Sequence, residues 1–228
     1  MAVRACVFDA YGTLFDVAAA ARNAAAQPGG ERLAQTWEAL AETWRVKQLE
    51  YSWLRGLAGD YAPFRQVTAD ALDVAMAAHG IEDAGLRETL IGLYDRLDAY
   101  DEVGEVLTRL RGAGMATAIL SNGSPDMLDA AVSSAGLGDA LDAVLSVAEV
   151  ETFKPHPSVY RLVERRMGVP PGETAFFSSN CWDATAAQAF GFRTVWVNRR
   201  GAPLDRVGAE PWRTVGDLRE AAAVLGGA

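Results

Sequence analysis

The sequence predicts an α/β protein, a parallel sheet flanked by helices, with an all-helical insertion after the first strand. The stretch Val3-Arg4-Ala5-Cys6-Val7-Phe8 carries a short β-branched and aromatic run that ends abruptly at Asp9, as a buried parallel strand does where it reaches the rim of a sheet. From about Phe15 to Leu97 the hydrophobic period is helical. From Val103 onward helix-like and strand-like segments alternate, which implies right-handed crossovers between parallel strands.

The elements follow in order. Leu33, Trp37, Leu40, Trp44, Tyr51 and Leu54 recur in steps of three, four and seven and predict one long amphipathic helix. Phe64 to His79 and Leu86 to Leu97 predict further helices, punctuated by Gly80 and Gly85, and Gln27 to Gly30 reads as a short break. This block, residues 16–98, reads as a small cap whose loops close over Asp9. Residues 1–15 and 99–228 then form the core. A helix from Val103 to Gly112 precedes a strand, Ala116 to Leu120. Then come a helix from Pro125 to Ala135, a short strand near Val144 to Val147, a helix from Ser158 to Met167, and a strand from Thr174 to Ser178. The last two elements are a helix from Ala184 to Phe190 and a fifth strand, Thr194 to Asn198.

Composition narrows the function. At 228 residues, half of them hydrophobic, the chain can bury a large core, and disorder is excluded. No apolar run is long enough to cross a bilayer and no cleavable signal pattern opens the sequence, so a cytoplasmic protein is expected. A net charge of -9 disfavours nucleic acid and anionic membranes as partners. Cys6 and Cys181 lack zinc or CxxC spacing and read as reduced thiols. Of 21 Lys and Arg side chains only Lys47 and Lys154 are lysines, so the Lys154 before Pro155 is either incidental or a compact ammonium that a bulkier guanidinium could not replace.

Four strand ends carry polar groups on the same side of the predicted sheet: Asp9, Ser121-Asn122, Lys154, and Ser178-Asn180-Asp183. Ligands bind outside the carboxyl ends of strands in such sheets, and Asp9 is the candidate nucleophile. Singly, each group has an ordinary explanation as a turn or a helix start. Their joint occurrence does not.

The segments FDAYGTLFDV (Phe8 to Val17), WRVKQLEYSWLR (Trp44 to Arg55), LSNGSP (Leu120 to Pro125), KPHPSVY (Lys154 to Tyr160) and SSNCWDATAAQAFGF (Ser178 to Phe192) resemble the type II L-2-haloacid dehalogenases of the haloacid dehalogenase superfamily. That resemblance implies a Rossmann-like core of five parallel strands in the order 5-4-1-2-3, with a helical cap. It also implies hydrolysis of short L-2-haloalkanoic acids to D-2-hydroxyalkanoic acids and halide. The path runs through an ester on Asp9, with inversion at C2, no cofactor, no metal and a homodimeric enzyme.

The resemblance assigns roles residue by residue. Arg45 meets the leaving halide, and Asn122 and Trp182 complete its cradle. Ser121 and Lys154 hold the substrate carboxylate. Thr13, Tyr160, Ser178, Asn180 and Asp183 orient the nucleophile, Lys154 and the hydrolytic water. Asp183 is placed to activate that water, with the identity of the proton acceptor left open. Tyr11, Leu49 and Phe64 wall the alkyl chain. Val46 departs from the Gln common at its position. No role falls to His79 or His156.

Two rivals are a phosphatase or phosphonatase of the same superfamily and a non-catalytic binding protein. A DxD-type phosphatase protonates its leaving group with an aspartate two residues after the nucleophile, where this chain has Tyr11. Ser179 stands where such an enzyme has a metal-binding carboxylate. A departing halide needs neither. The binding protein does not account for Arg45, Lys154, Ser178 and Asp183 together.

Overall fold

The computed structural model describes residues 2–17, 22–23, 25–26 and 36–226. The expected Leu33 and the break at Gln27 to Gly30 lie outside the described residues. Strand β1 (Ala5–Phe8) is wholly buried, as its unbroken apolar run requires. It pairs in parallel with β2 (Ala116–Ser121) on one side and β4 (Thr174–Ser178) on the other. Phe8 therefore sits level with Ile119 and Phe177 and stacks on the Phe177 ring at 4.6 Å. Strands β3 (Ala143–Ser146) and β5 (Arg193–Val197) extend the sheet outward.

Among the described residues the sheet has six strands, a correction to the expected five, in the order β3-β2-β1-β4-β5-β6. The first five keep the implied order. The sixth, β6 (Arg213–Val215), adds in parallel to the outer edge of β5, and Asn198 N–H donates to the Val215 carbonyl at 2.8 Å. Its three residues are too short, and two of them too exposed, to show a strand period in sequence. What makes them a strand is the free edge of β5.

Among the described residues, the helices α1 (Trp37–Ala58), α2 (Phe64–Ala78) and α3 (Ala84–Tyr94) follow β1 before the chain returns toward the sheet. The buried face of α1 differs from the apolar stripe read in sequence. Leu40, Trp44, Gln48 and Ser52 are buried, whereas Leu54 is 55% exposed. A strict step of four carries the buried face across two polar residues, and each finds partners there. Gln48 Nε2 donates to Thr68 Oγ1 of α2 at 3.0 Å, Tyr94 Oη donates to Gln48 Oε1 at 3.1 Å, and Ser52 Oγ donates to the Gln48 carbonyl at 2.7 Å. Trp44 Nε1 donates to the Thr68 carbonyl at 2.8 Å, which completes the seam between α1 and α2. Helix α3 ends at Tyr94, short of the expected Leu97. No described helix is long and apolar enough to cross a membrane.

The remaining helices, α4 (Val103–Gly112), α5 (Pro125–Ser134), α6 (Pro157–Met167), α7 (Cys181–Phe190) and α8 (Leu218–Gly226), complete the alternation. His156 caps α6, its Nδ1 accepting from Ser158 N–H, and both cysteines are free and buried. At the start of α2, Arg65 joins the helical layer to α5. Its guanidinium pairs with Asp95 at 2.7 Å and Asp126 at 2.6 Å, and its N–H donates to Ser124 Oγ at 3.0 Å. Between β2 and α5 the chain passes close under an aromatic ring, and only a residue without a side chain fits. A Cβ on Gly123 would lie 2.9 Å from both Tyr11 and Leu128 side-chain carbons. We expect Gly123→Ala to destabilise the fold by about 1–3 kcal/mol through overpacking, read as a lower urea midpoint. An unchanged midpoint would show that the Tyr11 ring yields freely.

Candidate active site

The carboxyl edge of the sheet gathers the polar residues of four segments. Asp9 follows β1 directly, and its N–H still donates to the Phe177 carbonyl at 2.8 Å, so strand pairing fixes the backbone up to the carboxylate. Ser121 ends β2, and Ser178 ends β4. Asn180 caps α7, whose first turn carries Asp183. Lys154 arrives from the loop after β3, and its peptide bond to Pro155 is cis.

Lys154 is the hub. Its side chain is 1% exposed, and its Nζ donates to Asp9 Oδ1 at 3.0 Å and to Asp183 Oδ2 at 2.9 Å. Burial alone would depress the ammonium, but the charges of Asp183 and Asp9 outweigh it and hold its pKa above the ordinary 10.5. One ammonium serves two carboxylates, which leaves an uncompensated negative charge. Complete burial pushes the Asp183 carboxyl up, Lys154 offsets this only in part, and Asp9 adds to it. Asp183 also accepts from Tyr160 Oη at 2.7 Å and from Ser178 Oγ at 2.9 Å. Burial, and then the neighbouring Asp183 charge, hold the Tyr160 phenol well above its usual range, so it stays a donor.

The second oxygen of Asp9 is held from the opposite side. Asn180 Nδ2 donates to Oδ2 at 3.0 Å, and the Thr13 hydroxyl faces it at 3.2 Å. Thr13 Oγ1 accepts from Ser179 N–H at 2.8 Å. This close approach explains Gly12, which has φ +84° and whose Cβ would meet Ser179 Oγ at 3.1 Å. Arg45 reaches down from α1, its Nη2 donating to Asn180 Oδ1 at 2.6 Å. A cavity of about 280 Å³ adjoins these groups, with Arg45, Leu49, Asn180 and Trp182 among its lining.

Other expected residues bond or pack against partners other than the Asp9 carboxylate. Ser121 Oγ accepts from Gly123 N–H at 3.0 Å, and Asn122 Oδ1 accepts from Lys154 N–H at 2.9 Å. That bond leaves the Asn122 amide nitrogen as the donor. Tyr11 and Phe64 stack on each other at 6.1 Å, in a cluster with Phe15, Tyr94 and Phe153. Val46 is half-exposed on α1. Ser179 and Arg199, to which the sequence assigns no site role, also bond the Thr13 loop. Arg199 donates to the Thr13 carbonyl at 3.0 Å, and its signal in sequence was its position just past a strand end. Among the described residues no cluster of three or more His, Cys, Asp or Glu side chains is spaced to hold a metal ion.

Removing the hub charge tests this electrostatic account. Lys154→Met leaves Asp9 and the buried Asp183 facing each other, a loss of about 3–5 kcal/mol at neutral pH. A buried carboxylate whose folded pKa is raised destabilises the fold above its unfolded pKa, so the loss should shrink as pH falls and Asp183 protonates. Urea unfolding at pH 7 and pH 4 measures this, and a loss that does not depend on pH would contradict it.

Comparison with known proteins agrees with this geometry. Residues 3–191 match the family described as haloacid dehalogenase-like hydrolase. The chain is 45% identical over 202 residues to (S)-2-haloacid dehalogenase 4A of Burkholderia cepacia, covering 88% of this chain and 85% of that one. Its fold superposes on the crystal structure of the L-2-haloacid dehalogenase RSc1362 with a TM-score of 0.93 at 41% identity, covering 99% of this chain and 100% of that one. The L-2-haloacid dehalogenase of Xanthobacter autotrophicus with chloropropionic acid covalently bound gives a TM-score of 0.87 at 38% identity, covering 99% of both chains. With a buried Asp-Lys-Asp hub, an arginine brought to it from a helical layer, and such matches over nearly its whole length, the chain belongs to the haloacid dehalogenase-like hydrolases, among the relatives named L-2-haloacid dehalogenases.

Proposed function

We propose that this protein hydrolyses short L-2-haloalkanoic acids to D-2-hydroxyalkanoic acids and halide. The observation that carries the reading is the Asp9 carboxylate, gripped by Lys154 on one oxygen and Asn180 on the other, beside an Arg45 that bonds Asn180. In this reading an Asp9 oxygen attacks C2 opposite the halogen, a C–O bond forms as the carbon–halogen bond breaks, and C2 inverts. Ser121 and Lys154 hold the substrate carboxylate. Arg45, Asn122 and Trp182 receive the halide, whose charge develops as the bond breaks.

Water then attacks the ester carbonyl of Asp9, and the aspartate is regenerated as the hydroxyacid leaves. Asp183 takes the proton from that water, because its raised pKa makes it a stronger base than an ordinary carboxylate. Thr13, Tyr160, Ser178 and Asn180 hold these groups in register. Leu49 borders the alkyl chain, with Tyr11 and Phe64 as the apolar backing of the same wall. The division into a cap of residues 16–98 and a core of 1–15 and 99–228 belongs to the same reading. So does a cytoplasmic homodimer, supported by the exposed Leu54, Leu57 and Val74 on α1 and α2.

Chloride release should be fast with (S)-2-chloropropionate, negligible with the R enantiomer, insensitive to EDTA, and abolished in Asp9→Asn. A single turnover in ¹⁸O-labelled water should label Asp9, as mass spectrometry of the protein would show. Label found only in the hydroxyacid would mean that water attacks C2 directly. Phosphate release from p-nitrophenyl phosphate that needed Mg²⁺ and exceeded chloride release would assign the site to a phosphatase. Arg45→Lys should lower kcat/KM at least tenfold, because the guanidinium fork can bond Asn180 and still present donors to the halide, whereas an ammonium is a point charge on a flexible stem. A rate close to wild type would place Arg45 outside the reaction.

A further inference from the structure

We propose that Arg199 is a positioning residue for the nucleophile, acting through the backbone of Thr13. This rests on the reading of Asp9 as nucleophile. Arg199 emerges just past β5, where the bond from Asn198 N–H to β6 fixes the backbone. Its side chain, 17% exposed, makes three contacts at once. Nη2 donates to the Thr13 carbonyl at 3.0 Å, Nη1 lies 2.7 Å from Oε1 of the buried Glu102, and the guanidinium plane lies 3.7 Å over the Tyr100 ring. Glu102 Oε1 makes no aligned hydrogen bond, so its contact with Arg199 is an ion pair rather than a directed bond.

These contacts join two strands of chain that must stay in register for Asp9 to be aimed. The first is the nucleophile loop, in which Thr13 is wholly buried and its hydroxyl faces Asp9 Oδ2 at 3.2 Å. The second is the segment through which the chain returns from α3. It lies against the loop through Tyr100 N–H to the Leu14 carbonyl at 2.9 Å and Asp16 N–H to the Asp98 carbonyl at 3.0 Å. Arg199 clamps both, holding the carbonyl of the residue whose hydroxyl aligns the nucleophile. A rotation of that peptide would swing Thr13 Oγ1 away from both Asp9 and Ser179 N–H. Only a planar fork can stack on Tyr100, face Glu102 and bond Thr13 together.

The test separates positioning from folding. Arg199→Lys keeps a positive charge beside Glu102 but cannot make all three contacts. The pair Arg199→Met with Glu102→Gln removes the brace without leaving a buried charge unpaired. In single turnovers of (S)-2-chloropropionate with excess enzyme, chloride release and ¹⁸O entry into Asp9 should slow about a hundredfold in the double variant and at least tenfold in Arg199→Lys. KM should stay within about twofold, since the groups that hold the substrate are untouched, and the melting temperature of the double variant should match wild type. Alkylation within about threefold of wild type in either folded variant would overturn the inference, as would a rate loss that only tracks loss of folded protein. Wild-type enzyme that failed to label Asp9 would overturn the nucleophile reading itself, and this inference with it, before any variant is compared.

Discussion

One buried ammonium shared by two carboxylates governs this molecule. Lys154 has no exposure to speak of, and its charge offsets part of the cost of burying Asp183 completely. Its contacts require the end of β1, the first turn of α7 and the loop after β3 to meet at one point, so the sheet order and the α7 start become conditions of charge balance. A lysine suits the position. A compact ammonium can serve two acceptors less than 3.1 Å away in a tight space, while a guanidinium would need a wider slot.

The same hub sets the charge balance of the site. Here Asp9 and Asp183 are balanced by a side chain of the protein, and Ser179 contributes an N–H to Thr13 where a carboxylate would bring further negative charge. Complete burial, with the charge of Asp9 added to it, holds the Asp183 carboxyl above its ordinary range even beside Lys154.

The helical layer reaches the groups around Asp9 through the bond from Arg45 to Asn180. The accuracy of that bond depends on how α1 sits. Trp44 and Gln48 flank Arg45 in sequence and are both pinned to Thr68 of α2, while Arg65 at the start of α2 is tied to α5. The guanidinium at the site is therefore held by the packing of two helices rather than by its own exposed face. Burying the polar Gln48 is tolerable because Thr68 and Tyr94 satisfy both ends of its amide.

Local rules determined what the sequence alone could show. The apolar run before Asp9 declared a buried strand, the alternation after Val103 declared a parallel sheet, and polar residues at successive strand ends declared a site, because each depends on a period or a terminus within one segment. Tertiary structure decided the rest. Strand β6 exists because β5 has a free edge, and the buried face of α1 runs through Gln48 because α2 and α3 supply its partners. Tyr11 joined an aromatic cluster, and Arg199 gained a place beside the nucleophile loop, through contacts between residues far apart in the chain. Thr13 and Arg199 are 186 positions apart, and no periodicity links them. Hydrogen bonds and charge pairs of that range form only once the sheet has brought its strand ends together, so they leave no pattern in the linear sequence.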